Sequence, residues 1–200
     1  MKDFPDQNVP KVLEAIASET EILGFDMASE PRTGALLQTL AASKPGARML
    51  ELGTGTGLSC AWILAGMDQR STLVSVDNDA SAQAIARKYL GEDQRLQLVC
   101  QDASEWLELH LDERFDFIFA DAWPGKFSHL KLTLERLTPG GFYVIDDLLP
   151  QDNWPDNHAP RVPALIQQIE SLSGYTSIRL AWASGLMIVV RQSAPSQTGV

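Results

Sequence analysis

Five acidic residues recur along this 200-residue chain: Glu51, Asp77, Asp102, Asp121 and Asp146. Each closes, or sits near the end of, a short apolar run of the kind that forms a buried strand. A carboxylate at such a place can accept hydrogen bonds from a diol or an ammonium group, hold a cation, or take up a proton. Capping of a following helix accounts for one such residue; it does not account for five in succession. The first of them is followed by Gly53-Thr54-Gly55-Thr56-Gly57, with glycine at alternate positions. Lacking Cβ, such a turn admits positive φ and lets a ligand approach the backbone. A helix then starts near Leu58, and its first N–H groups are free to bind. This is a cofactor cradle with carboxylates beside it.

Two cofactor classes compete for the cradle. A dinucleotide site uses G-x-G-x-x-G and an acidic residue about twenty positions on. Here the glycines alternate, and Asp77 lies twenty residues after Gly57. Asp77 does not discriminate, because any ribose diol benefits from a carboxylate acceptor. Glu51 does: a carboxylate just before the glycine turn repels a pyrophosphate and suits an ammonium group. S-adenosylmethionine carries an ammonium group at one end, a ribose in the middle and adenine at the other. The expected contacts are Glu51 at the ammonium end, Asp77 with Asn78 at the ribose, and Asp102 with Ala103 at the adenine amine. Gly53, Thr54, Gly55, Gly57 and Ser59 form the cradle itself.

The elements that position these residues follow from periodicity. Val9, Val12, Leu13, Ile16 and Ala17 have helical spacing, and a second helix is predicted at about Arg32–Ala42. Strands are predicted at about Ala47–Leu52, Ser71–Val76, Leu96–Gln101, Phe115–Ala120 and Phe142–Ile145. Helices alternate with them, one at about Leu58–Met67 and one carrying Phe127, Leu130, Leu134 and Leu137 on one stripe. A further helix carries Val162, Leu165, Ile166, Ile169 and Leu172. A closing hairpin, Ser177–Trp182 and Leu186–Arg191, turns at Ala183-Ser184-Gly185. The alternation predicts an α/β fold with a mostly parallel sheet covered on both faces. Ligands of such sheets bind at the carboxyl ends of the strands, where the five acidic residues stand. One domain is expected: a helical region over 1–43, a core over 44–192 and a frayed tail over 193–200.

At these residues the chain resembles the class I S-adenosylmethionine-dependent methyltransferases. The resemblance rests on Glu51-Leu52-Gly53-Thr54-Gly55-Thr56-Gly57, on Phe115 to Ala122 and on Gly140 to Asp147. It is closest to the small-molecule O-methyltransferases that include the catechol and caffeoyl-CoA enzymes. The resemblance implies a Rossmann-like, seven-stranded sheet whose last strand is antiparallel. It also implies that Met27 and Ser29, in Met27-Ala28-Ser29-Glu30 with Gly34, fold over the methionine part of the cofactor. Asp121, at the acceptor site, touches the cofactor too and is the expected catalytic residue. The resemblance further implies a divalent cation, Mg²⁺ or another, held by Asp121, Asp146 and Asp147, with a helper lysine.

Two departures bear on that chemistry. The asparagine of the family's strand-5 pair is Asp147 here. The helper lysine is displaced, because Asp121-Ala122-Trp123-Pro124-Gly125-Lys126 puts proline in its place. Lys126 serves if the Pro-Gly turn redirects it; otherwise it begins the exposed face of the next helix. The loop from Leu148 to Pro160 leaves the same sheet edge and is long enough for a lid or binding loop. Trp154 is an aromatic wall or an anchor of that loop. Trp123 faces a ligand or the core, and Trp106 is expected in the core, with a place under the adenine as the alternative. His158 is expected to cap or lie exposed, with a general base as the alternative; His110 and His129 receive no role.

Bulk properties exclude other classes. A net charge of −10 and the lack of any Lys/Arg run argue against a nucleic-acid partner. No apolar run approaches the ~18 residues of a membrane span, and the N-terminus lacks a signal-peptide core. Cys60 and Cys100 fall in apolar stretches and are expected as buried free thiols, which fits a cytoplasmic location. The expected partner is a small-molecule acceptor. The N-terminal helical region serves either a homodimer or packing on its own domain. The readings left open beside metal-assisted O-methyl transfer are metal-independent transfer to an amine or carboxylate, and cofactor binding without catalysis.

Overall fold

The computed structural model describes residues 8–193. Seven strands form one sheet: β1 (Arg48–Leu52), β2 (Thr72–Asp77), β3 (Leu96–Cys100), β4 (Phe115–Ala120), β5 (Leu137–Ile145), β6 (Tyr175–Leu180) and β7 (Leu186–Arg191). Their order is β3-β2-β1-β4-β5-β7-β6. The first five strands pair in parallel, and β7 runs antiparallel to both neighbours. The chain order reverses between β1 and β4, and at such a switch point a crevice opens beyond the strand ends. The expected α/β architecture is therefore present, with its last strand antiparallel.

Apolar clusters cover both faces. One lies under α5 (Ala103–Leu109), α7 (Leu130–Glu135) and α8 (Val162–Glu170), and includes Leu50, Val76, Ile118, Tyr143 and Leu165. The other lies under α1 (Leu13–Leu23), α2 (Pro31–Ala42), α3 (Leu58–Gly66) and α4 (Ala80–Leu90), and includes Met49, Leu73, Phe117 and Val144. Adjacent residues of one strand thus feed opposite layers, as the period of two demands. Gly34 of α2 lies against Trp62 of α3; an added Cβ would stand 2.1 Å from the indole Cδ1. That close approach holds α2, and the segment just before it, over the glycine turn.

Several boundaries differ from the sequence expectation. The first helix runs over Leu13–Leu23 instead of starting near Val9. The single helix expected after β4 is broken into a short turn, α6 (Trp123–Lys126), and α7. Pro124 sits at ψ 136° and Gly125 at φ 88°, and neither is helical. His129 at φ 58° then starts α7 anew, and Leu137 falls in β5. Strand β5 starts earlier than expected because Leu137 pairs with Phe115 before an irregularity leads to the regular pairing from Phe142. Strand β6 is Tyr175–Leu180, two residues earlier than expected, because the tight turn closes from Trp182 to Gly185 with Ala183 at φ 52°. Cys60 is buried as expected but Cys100 is exposed, since its strand β3 lies at the sheet edge. Of the expected tail, 194–200 lie outside the described residues. Among the described residues no helix is long and apolar enough to cross a membrane.

Candidate active site

The glycine turn meets the expectation of positive φ at each glycine: 102° at Gly53, 50° at Gly55 and 95° at Gly57. The turn is fixed from outside. Gly55 N donates to Asp77 Oδ2 at 2.7 Å, while Asp79 N donates to Asp77 Oδ1 at 2.8 Å. Asp77 is thereby held facing the loop at the end of β2. An open cleft of about 1030 Å³ runs along this edge. Of the expected cofactor residues, Met27, Ser29, Gly53, Thr54, Gly55, Ser59, Asp77, Asn78 and Asp121 line it. Phe25, Thr56 and Asp79 also line it and were not anticipated.

Three expected cofactor residues and one cradle glycine stand elsewhere. Glu51 is completely buried and accepts a hydrogen bond from Ser75 Oγ. Burial pushes its carboxyl up to about 7, against the pull of hydrogen bonds from Ser75 and Ser59. Its carboxylate lies beneath the cleft, joined to it through Ser75 and Thr54, whose hydroxyls are 2.6 Å apart. Asp102 caps α5 by accepting from Ser104 N at 2.7 Å and Glu105 N at 3.2 Å, and Ala103 is buried behind it. Gly57 is packed against Ala86, where a Cβ would come within 2.7 Å.

A second cavity adjoins the first, and Met27, Ala28, Ser29, Asp121, Ala122 and Trp123 border both. Asp121 stands at the junction, half-buried, and accepts a hydrogen bond from Ser29 Oγ at 2.7 Å. Desolvation raises its carboxyl well above the usual carboxylate range; the charges of Asp146 and Asp147 add to the rise, while Lys126 and Ser29 oppose it. Asp146 and Asp147 line the second cavity with Lys126. Asp146 is buried and accepts from Ser184 Oγ and from Asp147 N. Burial, then the Asp147 charge, pushes its carboxyl up to about 6.

Lys126 reaches the site despite its displaced position in the sequence. The turn at Pro124-Gly125 is pinned by Gly125 N to Ser128 O at 2.7 Å and by Tyr143 Oη donating to Gly125 O. It turns the Lys126 side chain inward, leaving only 1% of it exposed. Its Nζ donates to Asp146 O at 3.1 Å and lies 3.8 Å from Asp147 Oδ2.

The loop 148–160 forms the far wall. His158 stands at the N-cap position of a short 3-10 turn over Ala159–Arg161, but its side chain does not cap it; it is not exposed either, being 3% exposed and packed in aromatic rings. Trp154 stacks on it at 4.1 Å between centroids, and Phe127 meets it edge-on at 4.8 Å. Its Nε2 lies 3.1 Å from Asp147 O, and burial lowers its pKa. Asn153 Nδ2 donates to Asp26 O at 2.6 Å, tying the loop to the segment that carries Met27 and Ser29. Ser184, in the β6–β7 turn, is a site residue that sequence reasoning missed. Trp106 is in the core and stacks on His110; His129 pairs with Glu108 on the surface.

Among the described residues, no three His, Cys, Asp or Glu side chains come together as a metal-binding group. The Asp146, Asp147 and Asp121 carboxylates face Ser184, Lys126 and Ser29 respectively. As they stand, these side chains do not fit a metal. The cleft does fit S-adenosylmethionine: bare glycine backbone, a pinned carboxylate at Asp77 and polar groups from Ser29 and Asp121 line one groove.

A methyltransferase-domain family profile matches residues 50–148. A relative from Mycobacteroides abscessus, provisionally named an O-methyltransferase, is 30% identical over 173 residues, 80% of each chain. Another, from Mycolicibacterium vanbaalenii, is 35% identical over 59% of this chain. The chain spans 54% of that relative's length. The fold matches the O-methyltransferase TomG from Streptomyces achromogenes, solved with SAM, at a TM-score of 0.77 and 23% identity, over 92% of this chain and 90% of that one. It also matches an O-methyltransferase from Bacillus cereus solved with SAH, at 0.76 and 23%, over 94% of each. The chain belongs to the methyltransferase-domain family of its Mycobacteroides abscessus relative.

Proposed function

We propose that this protein transfers a methyl group from S-adenosylmethionine to a hydroxyl oxygen of a small, flat acceptor. One observation carries the reading: Asp121 borders both cavities, so a single carboxylate faces the cofactor cleft and the acceptor cavity. When bound, S-adenosylmethionine supplies an electrophilic methyl group and leaves as the thioether. Asp77 would hold its ribose, and Ser29 and the Gly53–Thr56 backbone its methionine part. Glu51 would act on the ammonium end only through the Thr54–Ser75 relay.

The acceptor would lie between Trp123 and Trp154, both of which line the second cavity. Its hydroxyl proton passes to the Asp121 carboxylate as the oxygen takes the methyl group. A carboxylate whose pKa is raised is a stronger base, and a base poised nearer the working pH is the more effective one. Juxtaposing the two cavities supplies the proximity that converts encounter into reaction. The unpaired thiols of Cys60 and Cys100 support a reducing, cytoplasmic setting.

The test is turnover of S-adenosylmethionine with panels of phenols, amines and carboxylic acids, followed by mass spectrometry of product and thioether. O-methylated phenols are expected. Turnover with amines or acids alone would replace the oxygen acceptor.

A further inference from the structure

We infer that Lys126 is the resident cation of this site: its ammonium occupies the place among Asp121, Asp146 and Asp147 that resemblance assigns to a divalent metal. The inference rests on the proposed methyl transfer for its catalytic meaning, but its geometry stands alone.

Three carboxylates brought to one sheet edge repel one another, and a cation beside them relieves that repulsion. The chain supplies one. Lys126 Nζ is 3.8 Å from Asp147 Oδ2 and donates to the backbone of Asp146 at 3.1 Å. Its side chain is almost fully enclosed, and Phe127 lies 5.7 Å from the ammonium. A lysine buried to this degree is uncommon unless paired.

The turn that delivers it is built for the purpose. Gly125 has φ 88°, and an added Cβ would meet Leu52 Cδ1 at 2.4 Å. Asp147 also has positive φ, 61°, which is rare outside glycine. The remaining carboxylate positions are taken by the chain's own donors: Ser184 Oγ and Asp147 N on Asp146, and Ser29 Oγ on Asp121. An ammonium brings one positive charge and three donors, so it orients an acceptor oxygen by hydrogen bonding where a metal would bind it directly.

The experiment is titration of the full chain with Mn²⁺, followed by the electron paramagnetic resonance of free ion. Wild type is expected to leave the Mn²⁺ signal free through the millimolar range, and its methyl transfer is expected to persist with chelator. Lys126→Met removes the counter-ion, so that variant is expected to bind Mn²⁺ at least about tenfold more tightly, through the unmasked carboxylates. Lys126→Met/Asp147→Asn should lose the gained affinity. One Mn²⁺ bound per wild-type chain at micromolar concentration, and lost in Asp147→Asn, would overturn the inference. So would a folded Lys126→Met chain with no gain. Should Lys126→Met fail to fold, the wild-type titration and the chelator assay decide by themselves. Failure of S-adenosylhomocysteine to bind in a parallel calorimetric titration would remove the methyl-transfer reading and leave the Mn²⁺ result standing.

Discussion

Replacing Asp121 by asparagine separates chemistry from binding. The change keeps the side chain's shape, and the amide oxygen can still accept the 2.7 Å hydrogen bond from Ser29. What disappears is the capacity to take a proton. General-base catalysis contributes roughly 10²–10⁴-fold, or about 3–5 kcal/mol of barrier, and kcat is expected to fall by that factor. The variant also removes a charge that Asp146 and Asp147 repel, so it is expected to melt no lower than wild type. Affinity for S-adenosylhomocysteine should change less than about threefold, or ~0.7 kcal/mol. The pH profile adds a check with a definite sign. The Asp121 carboxyl is raised, so its basic form grows as pH rises through that raised value, and wild-type kcat should climb on the acid side. The asparagine variant should lose that limb. Single-turnover kinetics with saturating cofactor measures the step directly. A variant that keeps more than about a third of wild-type kcat would refute the role of Asp121 as base.

Four further outcomes follow from the same geometry. Asp77→Asn loses a charge-assisted acceptor and should weaken S-adenosylhomocysteine binding by ~1.5–3 kcal/mol in calorimetry; unchanged affinity would detach Asp77 from the ribose. Gly57→Ala forces an L-residue to φ 95° and a Cβ to 2.7 Å from Ala86; a loss of about 1–3 kcal/mol is expected by chemical denaturation, and a stability equal to wild type would be inconsistent with this packing. His158→Ala removes the ring on which Trp154 stacks, so the acceptor KM should rise while cofactor affinity holds; a loss of cofactor affinity alone would misplace the loop. Burial raises the Glu51 carboxyl from its ordinary value near 4.5 to about 7, so the folded state binds the extra proton. Its contribution to stability is complete below about pH 4.5 and is lost as pH rises through about 7, by roughly 3 kcal/mol. Glu51→Gln should flatten that interval in denaturation measured across pH.

The central strands β1, β2 and β4 were legible because they are buried on both faces and read as apolar runs between turn signals. The glycine turn was legible because close backbone approach demands glycine, and Asp77 because an acidic residue closing an apolar run marks the strand end that borders the cleft. What hid was set by tertiary contact. Asp102 looks like Asp77 in the sequence, yet its carboxylate is spent on the N–H groups of α5. Glu51 was placed at the right strand end, but its contact with the cleft runs through Ser75, a residue of the neighbouring strand. The inward turn of Lys126 depends on Gly125 meeting Leu52 and Tyr143, which no local pattern reveals. His158 carried one signal only, the length of the loop around it. Ser184 carried none, since its bond to Asp146 spans 38 positions of chain.

The proposed methyl transfer requires this glycine turn to hold S-adenosylmethionine beside Asp121. Calorimetric titration of the protein with S-adenosylhomocysteine, and separately with NAD, tests it most directly. Stoichiometric binding of S-adenosylhomocysteine, weakened by Asp77→Asn and with no heat from NAD, is the predicted result. Binding of NAD with no binding of S-adenosylhomocysteine would contradict it.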